Sequence, residues 1–419
     1  MLNICSAEQS MRASSDRTSK RRVAAVVLAP VLLIAALFAH ADIVATDDAA
    51  PGVTVAPPRE SLLATATVSG RDDVAETTLR SDLLSAFWGR DVAMHATVVV
   101  PQGADDGTIA ALPVCYDIHG FGGNHKRGFR IGPKLRSEIK GGYPAMVYVF
   151  LDASCSMGHH EFADSVNNGP RGRALIEEFI PAIERQFGGV RQPSQRFLTG
   201  HSSGGWSVLW LQVTYPEFFG GCWSTSPDPV DFRDWSGVDL YSATNVFRDE
   251  LGQPRPLVMR GKSVAMTLEE YAQQEHKRGK LDGQMASFDA VFSPRGTDGR
   301  PMVMFDRETG AINPDVVAAW KRYDIGLILR KRWNELGPKL KGKLHVWCGD
   351  EDTYRLQGAV QLLKADLTAL GSDADVLLVP GRNHGSIFAP HDELWPKGML
   401  DRVHREMSAQ AKAATEPAR

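Results

Sequence analysis

The chain has 419 residues, 43% hydrophobic and 23% charged, with 47 Lys and Arg against 50 Asp and Glu for a net charge of −3. That length buries a full core, and the composition excludes a disordered, collagen-like or multi-span membrane chain. The near-neutral balance gives no electrostatic footprint for nucleic acid, and none is expected as a partner.

Arg17, Lys20, Arg21 and Arg22 precede Val23 to Ala39, a run of 17 uncharged residues that ends at Ala39-His40-Ala41. A basic flank, an apolar segment and an A-x-A site predict a secretory signal peptide over residues 1–41. The rival is an uncleaved anchor, since the run is near the lower length limit for spanning. Cleavage implies a secreted or periplasmic protein with no stable membrane association. Removing residues 1–41 takes away five basic and two acidic residues and leaves 42 against 48, a net charge of −6. Cys5 leaves with the leader. Cys115, Cys155, Cys222 and Cys348 remain and allow up to two disulfides, although Cys115 and Cys222 lie in strand-like runs where a buried free thiol is equally ordinary.

Residues 42–60, with Pro51-Gly52 and Pro57-Pro58, read as a linker. From residue 61 to 400 one catalytic domain is expected, followed by a C-terminal helix and tail over 401–419. Leu62 to Val68 and Val92 to Val100 read as strands, then Leu112 to Ile118, ending at His119-Gly120-Phe121-Gly122-Gly123, and Ala145 to Leu151, ending at Asp152. Apolar strands alternating with helices predict an α/β fold with a mostly parallel central sheet covered on both faces. Arg173 to Phe187 is a helix whose Pro181 predicts a kink or a late start. Later strands are expected at Gly221 to Ser224, Lys343 to Cys348 and Val376 to Val379, with a helix from Tyr354 to Leu370. Residues 228–342 exceed what one crossover needs and read as a cap or lid insertion, with helix starts at Thr267-x-x-Glu270 and Asn313-Pro314-Asp315.

The chemistry is concentrated in Arg196 to Gly205, an apolar run closing in Gly200-His201-Ser202-Ser203-Gly204 and opening directly into Trp206-Ser207-Val208-Leu209. A strand that becomes a helix without a spacer needs a sharp turn, and glycines on both sides permit it. Ser202 at the apex is a candidate nucleophile, with the Ser203 amide facing any negative charge that forms beside it. Trp206 and Trp210, four apart, read as core.

A serine hydroxyl needs a base and an orienting acid. Cys348-Gly349-Asp350-Glu351-Asp352 leaves one predicted strand, and Asn383-His384-Gly385 leaves the next. The order Ser202, Asp352, His384 is that of the α/β hydrolases. Asp352 is preferred to Asp350 as the acid. The loop His119 to Gly123 supplies the second half of an oxyanion hole through the amides of Phe121 or Gly122, with His119 holding the loop. His119, His160, His201 and Trp235 are the candidates to line a substrate pocket. His159, His160, Glu161 and Asp164 have no further ligand at helical spacing and read as pocket rim; no metal or cofactor is expected.

Trp88-Gly89-Arg90, the His119 loop, Glu177 to Glu184, Gly200 to Gly205, Gly349-x-x-Asp352 and Asn383-His384 together resemble the putative esterase family, which includes esterase D, feruloyl and acetylxylan esterases, enterochelin esterases and mycolyltransferases. The resemblance covers about residues 85–227 and 343–390 and leaves the insertion unmatched. It implies an α/β-hydrolase fold, no metal, and Ser202, Asp352 and His384 as the triad. The oxyanion loop differs from that of esterase D, a cytoplasmic enzyme. The expected function is an exported serine ester hydrolase acting on a small-molecule or carbohydrate ester. An acyltransferase, a serine peptidase or a binding protein on the same scaffold is the alternative.

Overall fold

The computed structural model describes residues 67–415 except 72, 73, 105, 189, 190 and 279–282. The leader, the linker and most of the strand expected at residues 62–68 lie outside the described residues. Among the described residues no helix is long and apolar enough to cross a membrane.

Nine strands form one sheet: β1 (Thr67–Arg71), β2 (Val74–Arg80), β3 (Ala93–Val99), β4 (Val114–Ile118), β5 (Val147–Leu151), β6 (Arg196–His201), β7 (Gly221–Thr225), β8 (Leu344–Gly349) and β9 (Asp375–Val379). Their order is β1-β2-β3-β5-β4-β6-β7-β8-β9, antiparallel from β1 to β5 and parallel from β5 to β9. The apolar strands are explained by burial on both faces. Val147, Val149 and Leu151 point into one core cluster with the helix Ser203–Thr214, while Tyr148 and Phe150 point into the other with Arg127–Lys140 and Met399–Thr415. The parallel register aligns the ends of β4, β5, β6, β7, β8 and β9 along one edge, so the loops leaving Ile118, Leu151, His201, Thr225, Gly349 and Val379 gather there.

The sequence pattern passed over β2 and the helices Asp82–Trp88 and Arg127–Lys140. Pro181 has a different consequence from a simple kink. The helical run widens to a π turn over Leu175–Phe179 and resumes at Ile180–Gln186 with Pro181 in its first turn, where a missing N–H is tolerated. That helix delivers Glu184 beneath the sheet. Its fully buried carboxylate takes both Nε and Nη2 of Arg196 at 2.7 and 3.0 Å, the Tyr116 hydroxyl at 2.9 Å and the Arg191 amide at 2.9 Å. Removing either member of such a pair leaves an unpaired buried charge, at a cost of about 3–5 kcal/mol.

The insertion departs from its expected extent. Its last helix, Ile325–Leu340, packs on Ser203–Thr214 and Gln357–Ala369 and is the crossover into β8. The extra material is therefore residues 228–324, holding a hairpin (Pro256–Arg260 with Ser263–Thr267) and the helices Leu268–Arg278, Gln284–Phe292 and Pro314–Trp320. It shares a core with the sheet. Phe292 lies 5.0 Å from Trp206 and 5.1 Å from Trp320 between ring centroids. Trp235 belongs to this packing. It is 2% exposed, ringed by Phe288, Phe305 and Trp320, so its placement in a substrate pocket is corrected to a core position. Cys115, Cys155, Cys222 and Cys348 are all free thiols, so neither possible disulfide forms among them.

Candidate active site

Ser202 sits at the apex of the β6-to-helix turn with φ 60° and ψ −126°, a positive-φ conformation outside the left-handed helical region that a serine adopts only under constraint. The constraint is visible on both sides. The Ser202 amide donates to Thr225 O at 3.0 Å, and its carbonyl accepts from the amides of Trp206 at 3.0 Å and Asp228 at 3.2 Å. A Cβ at Gly200 would land on the carbonyl of Gly204, and one at Gly204 on the carbonyl of Ile118. The glycines flanking the serine are thus required by the closeness of helix and strands rather than by the turn alone.

Asp352 and His384 are brought together from the loops after β8 and β9. Asp352 is 1% exposed; its Oδ2 lies 2.8 Å from His384 Nδ1, and its Oδ1 accepts the Tyr354 amide at 2.9 Å. Asp350 points elsewhere: it is exposed and accepts the Gly381 amide at 2.7 Å, tying the two loops together. The His384 ring packs on His201, the residue before Ser202, with centroids 4.4 Å apart, and edge-on against Tyr354 at 4.9 Å. His201 also meets Phe388, and burial together with the charge of His384 pushes its pKa down to about 3, so it is a neutral wall.

The His119 loop lies against the elbow, where a Cβ on Gly120 would meet Ser202 Cβ and His201 O at 3.1 Å. Phe121 and Gly122 follow in a turn closed by the Gly123 amide on Gly120 O at 3.1 Å. His119 is buried and accepts the Ala153 amide at Nε2, which puts its proton on Nδ1 for Gly120 O at 2.8 Å. It holds the loop. His160 is buried as well, two strands away from the elbow, in a cavity beside Asp152.

Two buried carboxyls lie beside the elbow, and the sequence pattern assigns neither a place there. Ser202 Oγ has one hydrogen-bond partner among the described residues, Asp228 Oδ1 at 3.5 Å. Asp228 also accepts Ser203 Oγ at 2.6 Å and Gln284 Nε2 at 3.1 Å, the latter from the first turn of an insertion helix. Glu161, held at φ 55°, accepts Ser207 Oγ at 2.7 Å. Burial, reinforced by the charge of Glu161, pushes the pKa of Asp228 up to about 7, and burial pushes Glu161 well above the carboxylate range. The one sequence signal for Asp228 is its position just past a strand end; Glu161 was noticed only as part of a histidine-rich stretch.

The raised pKa has a consequence for stability. The folded chain keeps the Asp228 proton up to about pH 7, whereas an unfolded aspartate loses it near pH 4. The contribution is therefore full below about pH 4 and fades as pH rises through about 7. Asp228→Asn, which cannot ionise, should melt higher than wild type at pH 8, with the gap closing toward pH 5. Melting curves that stay parallel across this range would contradict it.

Among the described residues one group has ligand atoms close enough to share a cation: Glu76, His95 and His125. Both nitrogens of His125 already face carboxylates, Glu76 at 2.7 Å and Asp152 at 2.6 Å. Burial lowers the His125 pKa, but these two carboxylate partners outweigh it and raise the value.

The family model described as Putative esterase matches residues 93–323, ending before Asp352 and His384. No curated protein matches the sequence. Among solved structures, the chain is similar to a ferulic acid esterase (12% identity over 81% of this chain and 97% of that one, TM-score 0.49). It is also similar to an S-formylglutathione hydrolase from Agrobacterium tumefaciens (15%, 82% and 98%, 0.46) and a ferulic acid esterase from Anaeromyces mucronatus (13%, 85% and 95%, 0.42). With more than half of its length matched by that model and a mostly parallel sheet turning into a helix at Ser202, the chain belongs to the Putative esterase family and is an esterase of the α/β-hydrolase fold.

Proposed function

We propose that the chain is an exported serine esterase in which Ser202 attacks the ester carbonyl, His384 takes its proton and Asp352 orients the imidazole. The observation that carries this is the Asp352–His384 contact at 2.8 Å, on loops at the same sheet edge as a strained serine. With Nδ1 donating to Asp352, His384 presents Nε2 as the base. Ser202 Oγ has to leave Asp228 for that base, and hydrogen bonds of this kind tighten when substrate binds. The amides of Ser203 and of Phe121 or Gly122 hold the oxyanion; collapse expels the alcohol, protonated by His384, and leaves an acyl group on Ser202. Water, activated by the same imidazole, then attacks the acyl carbon and frees the acid.

The basic-flanked apolar leader supports export, and an exported esterase meets external esters such as acylated polysaccharides. Nitrophenyl esters of increasing acyl size, with feruloyl and acetyl sugars, test the reading. A pre-steady-state burst of about one nitrophenol per chain is expected on nitrophenyl acetate wherever deacylation is slower than acylation. Absence of turnover on every ester of the panel would reject it.

A further inference from the structure

A cavity of about 240 Å³ lies at the same sheet edge as Ser202 but is lined by none of Ser202, Asp352 and His384. At about 30 Å³ per water it has room for roughly eight waters, or for one small polar group. Its wall includes Trp88, Arg90, His95, Asp152, His160 and Arg171.

Arg171 is the anomaly. It is only 8% exposed, and its Nε donates to Asn168 O at 3.1 Å. Its two terminal nitrogens have no acceptor and no ion-pair partner among the described residues. The comparably buried Arg196 shows the usual arrangement, forked onto Glu184. A buried guanidinium facing space rather than a carboxylate is costly unless a counter-charge occupies that space. Burial lowers the Arg171 pKa and the like charge of Arg90 pushes the same way, while Cys155 and Asp152 on the same wall push against them.

His160 adds a donor to this wall. His160 accepts the Phe162 amide at Nδ1 (3.2 Å), so its proton is on Nε2, which has no acceptor among the described residues. The Trp88 Nε1–H also lacks an acceptor, but it is buried away from the cavity surface. Arg90 lies over the Trp88 ring, Cζ 5.7 Å from the centroid. Asp152 is the acid on this wall, and it is already engaged: Oδ1 takes the amide and hydroxyl of Ser154 at 2.9 and 2.6 Å, and Oδ2 faces His125 at 2.6 Å. Burial keeps Cys155 as a thiol and His95 neutral, so neither offers a charge. Two cations and unpaired N–H groups around a small space suit a ligand that only accepts hydrogen bonds.

We propose that this cavity is an oxyanion-binding subsite, taking a carboxylate, sulfate or phosphate group on the Arg171 fork with Arg90 beside it, and that the group is carried by the ester substrate. The second half rests on the reading of Ser202 as nucleophile; the first does not. Asp152 leaves β5 and Ser202 leaves β6, two strands apart in the sheet, which is roughly 10 Å at about 4.8 Å per strand. A substrate with its acid about that far from the ester carbonyl reaches both.

The test uses the full chain in two arms. In the first, inorganic phosphate is titrated by calorimetry at constant ionic strength. Wild type binds, Arg171→Met binds at least tenfold more weakly, and Arg90→Gln, at an exposed position, is weakened severalfold and guards against misfolding of the first variant. In the second, kcat/KM is compared for the nitrophenyl half-ester of suberic acid and for nitrophenyl octanoate. A charged-over-neutral ratio that falls at least tenfold in Arg171→Met, with the octanoate rate retained, supports the substrate-borne group. Loss of phosphate binding with an unchanged ratio supports the subsite with a free oxyanion as its ligand. No phosphate binding by wild type, or equal binding by wild type and both variants, overturns the proposal. If wild type hydrolyses neither ester, the reading of Ser202 fails while the phosphate arm still decides the subsite.

Discussion

Ser202→Ala is expected to lower kcat/KM for ester hydrolysis by on the order of 10⁴-fold or more without loss of the folded state. The alanine keeps the Cβ that packs beside Gly120 and loses only the hydroxyl, whose single partner among the described residues is Asp228 at the long distance of 3.5 Å. Stability should therefore be unchanged or slightly raised, as is common when a strained site gives up a polar group. A variant retaining activity within tenfold of wild type would show that the hydroxyl is not the nucleophile.

The second large effect separates two aspartates that are two residues apart. Asp352→Asn is expected to cost about 10⁴-fold in kcat, the size seen when the orienting acid of a serine-protease triad becomes an amide and the imidazole takes the wrong tautomer. Asp350→Asn should stay within about twofold, because its task is to accept the Gly381 amide, which an amide oxygen also does. Steady-state rates on one nitrophenyl ester check both. Equal losses in the two variants, or a larger loss at Asp350, would contradict the assignment of Asp352.

What the sequence disclosed here was local. The elbow is legible because strand, glycines, serine and helix are consecutive, and the collisions that demand Gly200 and Gly204 are between neighbours in the same turn or the adjoining strand. Asp352 and His384 are legible because a parallel sheet sends every strand's C-terminal end to one edge. Asp228 obeys the same rule, but its environment comes from Glu161 and Gln284, far away in the chain, and nothing local announces that burial. Trp235 shows the converse. A tryptophan early in an insertion resembles a ligand contact until Phe288, Phe305 and Trp320 enclose it. The Arg171 cavity is assembled from β3, the turn before it, the loop after β5 and a helix start, so no window of sequence contains it.

The central claim is that Ser202 is the residue which becomes acylated. Incubation of the full chain with a fluorophosphonate probe, followed by peptide mapping, tests it most directly. A single adduct on the peptide bearing Ser202, absent from Ser202→Ala and strongly slowed in His384→Ala, is the predicted result. An adduct on another serine, or labelling that persists in Ser202→Ala, would contradict it.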